Sequence, residues 1–141
     1  MKVIKSIVTT DAILTSSNIL ENEYSTWVSG TSYAALARVI YQHKIYERVI
    51  AGAGTTTPDL DITNWLYVSY TNRWRMFDNV ISNVSSRVGG ITFTLTPSQS
   101  ADSLMLLNVN ASSVRVVMND SVAGVVYDQT IILSGNEGIT N

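Results

Sequence analysis

The sequence predicts an all-β protein. Strand-length runs enriched in Val, Ile, Tyr and Trp recur along the 141 residues, with Gly, Pro, Asn, Asp and Ser between them. Within several runs, apolar and polar residues alternate at a spacing close to two, the period of a half-buried strand. The one helix-like stretch, NILENEYSTW, is interrupted by Ser and Thr within two turns, so we predict a loop there.

The composition indicates a globular chain without a strongly charged surface. Apolar residues make up 45% of the chain, and the net charge is −2 from 9 basic and 11 acidic residues. No basic stripe is present, so nucleic acid is not an expected partner. The absence of cysteine excludes disulfides, thiolate metal ligands and thiol nucleophiles. No run is long enough for a membrane span or a signal-peptide core, and we expect a protein made in the cytoplasm without membrane insertion.

Residues 1–23 are predicted to form an N-terminal strand, in KVIKSIVTT, and a polar connector. Residues 24–70 contain three predicted strands, ARVIYQ, KIYERVIA and WLYVSY, the first two joined by a hairpin at QHK. The segment AGAGTTTPDLDITN is predicted to be an exposed loop in which Pro58 fixes one backbone angle.

Residues 71–141 have the pattern of a β-sandwich. Alternating runs occur in GGITFTLTP, SLMLLNVNASSVRVVMND and GVVYDQTIIL, and a hairpin is predicted around Asn119 and Asp120. The chain stops at Asn141 with fewer strands than a sandwich needs. Either a partner supplies the missing strands, or the sequence is the front part of a longer chain.

The sequence gives little reason to expect an enzyme. His43 lies in a predicted tight turn without a nucleophile motif beside it, and we expect an exposed turn residue rather than a general base. Asp59 and Asp61 are two residues apart, but no third ligand follows at a spacing suited to calcium, so a solvated loop is the better interpretation. The remaining aspartates fit turn chemistry. We therefore predict no catalytic residue, no metal and no cofactor.

A cluster of large rings is the stronger signal. Six of them fall between residues 27 and 67: Trp27, Tyr33, Tyr41, Tyr46, Trp65 and Tyr67. Flat aromatic faces suit the apolar C–H faces of sugar rings, so the first five are candidate carbohydrate-binding residues. The alternative is that the rings are core residues of a module with little surface to bury. The sequence favours a core role for the rings and leaves both interpretations open.

The stretch TNRWRMFD offers a candidate interface. In a strand, Arg73 and Arg75 would point away from Trp74, which could then pack inward while the arginines pair with Asp78 or with a neighbouring chain. With Phe77, these residues are predicted to attach the small module to the sandwich, or this subunit to the next.

The same ring positions carry a family resemblance. Trp27, SGTSY ending at Tyr33, Val39, KIYERV around Tyr46, Pro58 and Trp65 with LYV resemble the small carbohydrate-binding modules of chitinases and cellulases. The resemblance implies a compact three-stranded unit at residues 24–70, with Trp27, Tyr33, Tyr46 and Trp65 at the family's aromatic positions. Where the family has a glycine, this chain has Leu36 in YAALARV.

A longer stretch resembles bacteriophage tail and neck proteins. The segments DAILTSSNILENEYSTWVSGTSYAALARVIY, HKIYERVIAGAGTTTPD and WLYVSYTNRWRMFDNVIS are similar to the N-terminal region of such proteins, in which a module of this kind precedes TNRWxMFD and a β-sandwich. The likeness runs from Asp11 to Asp128. It implies a non-enzymatic structural component of a virion that assembles with other tail proteins as a symmetric homo-oligomer. The rival is a carbohydrate-binding module that adheres to a host glycan.

Overall fold

The computed structural model describes residues 6–78, 80–101 and 103–133. Every element in these ranges is a β-strand except one short 3₁₀ turn, which confirms the all-β prediction. The contacts group the chain into unit 1, residues 1–105, and unit 2, residues 106–141. The predicted division into 1–23, 24–70 and 71–141 stays a prediction. No helix in the described ranges is long and apolar enough to cross a membrane.

A three-stranded antiparallel sheet lies at the centre of unit 1. Its strands are β3 (Arg38–Tyr41), β4 (Lys44–Arg48) and β6 (Trp65–Tyr70), in the order β3-β4-β6. The three predicted strands and the hairpin at QHK are thereby confirmed. Gln42 and His43 form the two-residue loop with φ of 48° and 63°, the left-handed pair that a type I′ hairpin turn requires.

The core of this sheet is built from aromatic and β-branched side chains. Val39, Tyr46 and Trp65 form the buried cluster, because Val39 pairs with Tyr46 across β3 and β4 and Trp65 begins the neighbouring strand. Trp27, Tyr33 and Tyr41 pack against it, half-buried. A few large rings thus supply most of the apolar contact in a sheet of short strands.

Two shorter strands flank the sheet, β2 (Ser32–Tyr33) and β5 (Gly52–Ala53), and they pair with each other. The loop that follows was predicted to be exposed, and this is wrong in part. Pro58 is among the most deeply buried side chains of the protein, and Asp61 lies 3.8 Å from the guanidinium of the buried Arg48. The rest of the loop is largely exposed as predicted, with Leu60 and Ile62 at 73% and 82%.

The N-terminal strand lies later than predicted. Residues 2–5 of KVIKSIVTT lie outside the described residues, and residues 6–10 are not in a strand; β1 spans Leu14–Ser17 instead. It pairs with β7 (Phe93–Leu95), nearly eighty residues away. Leu14 is buried, and the Oγ of Ser16 donates to the Oγ1 of Thr94 at 2.9 Å. This strand depends on a distant partner, which a local pattern cannot reveal.

The strand predicted for TNRWRMFD is wrong. After β6 the chain turns, because the carbonyl of Thr71 accepts hydrogen bonds from the amides of Trp74 and Arg75 at 2.9 and 3.0 Å. A 3₁₀ turn, Arg75–Phe77, follows. Thr71 is completely buried at this corner, so the direction of the turn is fixed by packing.

Unit 2 is, in its described part, a single antiparallel hairpin of β8 (Ser113–Asp120) and β9 (Gly124–Ile132). The predicted hairpin is confirmed, with its turn at residues 121–123. The strand predicted through SLMLLNVN is wrong, since the described residues between 103 and 112 form none. Of the predicted sandwich, the described part of unit 2 contains one sheet. Residues 134–141 lie outside the described residues.

Candidate functional surfaces

The structure brings the five predicted carbohydrate-binding residues together as packed rings. Tyr46 and Trp65 are only 5% and 4% exposed. Tyr33 meets Trp65 edge to face, with centroids 5.3 Å apart and planes at 70°, and Trp27 meets Tyr41 in the same way at 5.6 Å. This geometry is typical of a core, whereas a sugar platform presents flat, exposed ring faces.

An open cleft of about 440 Å³ lies beside this core. It is lined by Lys44, Tyr46, Pro58, Asp59, Ile62, Trp65, Tyr67 and Tyr70. Of the predicted binding residues, Tyr46 and Trp65 line the cleft. The more accessible ring is that of Tyr67, which is 47% exposed and meets Tyr46 and Tyr70 edge to face, at 6.0 and 6.3 Å. The cleft therefore combines aromatic surface with one carboxylate and one amine.

Burial raises the pKa of two tyrosines of the cleft. Burial and the negative charge of Asp59 raise the pKa of Tyr46, and burial raises the pKa of Tyr67. The Lys44 ammonium lies over the ring of Tyr70, with Nζ 5.6 Å from the centroid. The hydroxyls of Tyr46 and Tyr67 are thus hydrogen-bond donors at neutral pH.

Sequence reasoning did not identify Lys44, Asp59, Ile62 and Tyr70 as cleft residues. The signal for two of them lies in the strand register, because Lys44 pairs with Tyr70 and Tyr46 with Tyr67 across β4 and β6. The register could not be read from the sequence, since a bulge between Ile45 and Tyr46 shifts it by one residue.

The predicted interface residues pack within unit 1. Trp74 is buried, and Phe77 meets it edge to face at 6.0 Å. The Nε of Arg75 donates to the carbonyl of Tyr70 at 3.1 Å. Asp78 accepts from the Val80 amide and from the Asn83 side chain. The predicted partnership of Asp78 with the arginines is therefore replaced by local hydrogen bonds, and the interface role stays a prediction.

Two buried nitrogens of this segment are unusual. The Nε of Arg73 and the Nε1 of Trp74 have no hydrogen-bond partner in the described part of the chain. A buried donor without a partner costs on the order of 1–3 kcal/mol. These two nitrogens therefore contribute no hydrogen bond to the segment, which is held by packing and by the hydrogen bonds of Arg75 and Asp78.

His43 was predicted to be an exposed turn residue. The turn is confirmed, but its side chain is only 31% exposed and lies between two carboxylates. Its Nδ1 is 3.0 Å from Glu21 and its Nε2 is 3.0 Å from Asp11. The ring also stacks on Trp74, with centroids 4.3 Å apart. These partners precede His43 by 22 and 32 residues, so no local pattern could have indicated them.

The His43 cluster has a defined electrostatic character. Burial lowers the pKa of His43, but the hydrogen bonds and charges of Asp11 and Glu21 together outweigh it, and the pKa is raised. The Thr71 hydroxyl donates to the same Glu21 carboxylate at 2.7 Å. No group of three or more His, Asp and Glu side chains in the described ranges is arranged to hold a metal ion.

The β8–β9 hairpin of unit 2 has two different faces. Every second cross-strand pair faces the same side of the hairpin. On one side these pairs are Val114–Ile131, Val116–Gln129 and Met118–Tyr127. We call the side formed by these six residues the apolar face. The opposite face carries an ion pair, in which Arg115 donates to Asp128 at 2.7 and 2.9 Å.

The apolar face is largely uncovered. Val114 and Val116 are half-buried, while Met118, Tyr127 and Ile131 are 39%, 43% and 50% exposed. The strands of this hairpin were predicted from the sequence, but the apolar face was not identified as a functional surface. Its alternating pattern, VRVVM against YDQTI, is the signal that could have done so.

Comparison of the chain with protein-family models, with curated proteins and with solved structures finds no match.

Proposed function

We propose that this protein is a non-enzymatic structural subunit of a phage virion, in the tail or neck, that works by assembling with other copies of itself and with neighbouring tail proteins. The uncovered apolar face of the β8–β9 hairpin is the observation that carries the proposal. A two-stranded hairpin is at best marginally stable in water, and it needs a further strand or a packed face to persist. An uncovered face of this kind marks a surface for another protein.

The composition of the apolar face favours a second copy as its occupant. Its six residues include no charged side chain, and Gln129 is its only strongly polar residue. Two copies packed face to face would therefore bring no like charges together, and an isologous contact of this kind buries both apolar faces at once. Arg115 and Asp128 lie on the other side and would remain in water.

The strand edges support the same proposal. β8 and β9 pair only with each other in the described part of the chain, so each has an open edge of eight or nine residues. Open edges of this length pair readily with other chains unless they are covered. Assembly with neighbours is the ordinary way in which such edges are satisfied.

The assignment to a virion rests on the sequence resemblance. TNRW and MFD, around Trp74, are its most specific part, and the chain carries no pattern typical of an enzyme. The proposal that the subunit assembles stands on the hairpin and is independent of this resemblance.

Sedimentation of the full chain tests the proposed assembly. We expect the wild-type protein to sediment as an oligomer and Tyr127→Lys to dissociate it, because a lysine on the apolar face would be buried without a partner. Ser113→Lys is the matched control, since it adds the same charge to the opposite face, across from the uncharged Ile132. A wild-type protein that stays monomeric, or an equal effect of both lysines, would contradict the proposal.

The cleft supports a second candidate function, the binding of a host glycan. Tyr67 offers a partly exposed ring, and Asp59 and Lys44 supply an acceptor and a donor for sugar hydroxyls at its rim. This site differs from the one that the sequence predicted, because only Tyr46 and Trp65 are common to both.

Titration with chitohexaose and cellohexaose tests the glycan candidate. We expect any binding to be lost in Tyr67→Ala and kept in Leu66→Ala, since Leu66 is also exposed but points to the other side of β6. Binding that survives Tyr67→Ala, or no binding of either sugar, would remove this candidate.

A further inference from the structure

We propose that His43 is a pH-operated latch that holds the N-terminal segment, residues 11–21, on the three-stranded sheet of unit 1. The two ends of this segment meet at one imidazole, with Asp11 on Nε2 and Glu21 on Nδ1, both at 3.0 Å. The segment between them contains β1 and the buried residues Leu14 and Ile19. One ring thus closes a loop of the chain that includes a complete strand.

The chemistry of imidazole makes this arrangement depend on protonation. Both ring nitrogens carry a proton only in the charged form, so only charged His43 can donate to Asp11 and Glu21 at the same time. The neutral ring has one N–H, and its other nitrogen then presents a lone pair to a carboxylate. Loss of one proton therefore converts one of the two hydrogen bonds into a repulsive contact.

Two uncharged side chains hold the ring and its partner Glu21 in position. Trp74 stacks on one face of the ring, and the Thr71 hydroxyl holds Glu21 from the side. The Thr71 amide also donates to the His43 carbonyl at 2.8 Å. Lys44, the next residue on β4, places its ammonium over Tyr70. The carboxylates of Asp11 and Glu21 are thus the charges that decide the protonation of His43.

The direction of the pH effect follows from linkage. The pKa of His43 in the folded protein is raised above its ordinary value of 6.5, so the folded state holds the proton more tightly than the unfolded state does. The stabilisation is complete below the ordinary pKa, and it is lost as the pH rises through the folded pKa. Residues 11–21 should then separate from His43, while the sheet itself persists.

His43 is the only histidine of the chain, which makes the latch directly measurable. We expect its ring protons in an NMR titration to report a pKa above the ordinary value, and Asp11→Asn to shift that pKa downward. After correction for the intrinsic pH dependence of amide exchange, the amides of residues 11–21 should lose protection between about pH 5.5 and about pH 8. Protection in β3, β4 and β6 should not change.

Two further variants separate a latch from a merely structural contact. His43→Gln should abolish the pH dependence of exchange in residues 11–21, whereas Asp59→Asn, which removes a carboxylate elsewhere, should leave the dependence as in the wild type. If His43→Gln does not fold, the Asp11→Asn shift still tests the proposal. An unshifted or lowered pKa in the wild type, or protection of residues 11–21 that is the same at both pH values, would overturn it.

Discussion

At the scale of single residues, Leu36 has an unfavourable backbone conformation. Its φ is 66°, in the left-handed region that glycine adopts without a steric penalty. Its amide donates to the Arg48 carbonyl at 2.7 Å, and its side chain is 73% exposed. The backbone hydrogen bond therefore sets this conformation, and the side chain contributes little packing to offset its cost.

We predict that Leu36→Gly stabilises the protein by about 1 kcal/mol, because the steric cost of a Cβ in this conformation is on the order of 1–2 kcal/mol and part of it is offset by chain entropy. Leu36→Ala is the control, since it shortens the side chain but keeps the Cβ. Urea unfolding of the three proteins measures the difference. A less stable glycine variant would show that the leucine side chain contributes packing here.

A second residue-scale prediction concerns the buried Arg48. Its guanidinium lies over Trp65, 5.0 Å from the ring centroid, and 3.8 Å from Asp61. We expect Asp61→Asn to destabilise the protein by about 2 kcal/mol, because it leaves a buried cation without its counter-ion. Arg48→Met should cost less, since it removes the charge together with the need for a partner. Thermal unfolding checks both, and the reverse order would contradict this account.

Of the two roles considered for the aromatic rings, the sequence favoured the core over an exposed binding platform. Tyr46 and Trp65 are core residues, the alternative that the sequence favoured, because a small sheet has few other large side chains to bury. The partners of His43 could not be predicted, since they come from a segment whose own strand was placed too early in the chain.

At the scale of elements, local signals predicted the three strands of the central sheet, the β8–β9 hairpin and the run GGITFTLTP that contains β7, but neither β1 nor its pairing with β7. Local signals, namely β-branched residues with turn residues beside them, mark β3, β4, β6, β8 and β9. A few neighbouring residues are enough to specify the hairpins that these strands form. β1 and β7 pair across the whole of unit 1, and the 3₁₀ turn exists because Thr71 is buried at a corner. Such features arise from tertiary packing, which overrides local propensity.

An element-scale prediction concerns the turn of the β8–β9 hairpin. The Asp120 carboxylate accepts hydrogen bonds from the amides of Val122 and Ala123 at 2.8 and 2.9 Å, and these bonds lower the pKa of Asp120. The stabilisation is therefore present above the ordinary carboxyl pKa and is lost as the pH falls through the folded value. Asp120→Ala should remove it at neutral pH.

Amide exchange of β8 and β9 measures this effect. We expect faster exchange in Asp120→Ala than in the wild type, and no change in Ser121→Ala, which alters the same turn without removing an acceptor. Equal exchange in Asp120→Ala and the wild type would mean that the strands, rather than the turn, hold the hairpin together.

At the scale of the whole molecule, the proposed assembly depends on the apolar face of the hairpin. The strand pattern and the family resemblance predicted assembly with other chains but located no contact surface on the hairpin. The structure adds a specific surface, because Met118, Tyr127 and Ile131 lie on one side of two paired strands. A single sequence could indicate the alternation, but whether a face is covered depends on the packing of the folded chain.

The most direct test is site-specific crosslinking of the assembled protein. The chain has no cysteine, so a single introduced thiol reports contacts without background. Val116 lies on the apolar face and Val117 on the opposite one. With a bismaleimide that spans about 10 Å, the spacing of packed sheets, we expect Val116→Cys to give covalent dimers and Val117→Cys to stay monomeric. Dimers from Val117→Cys alone, or from neither variant, would contradict assembly through the apolar face.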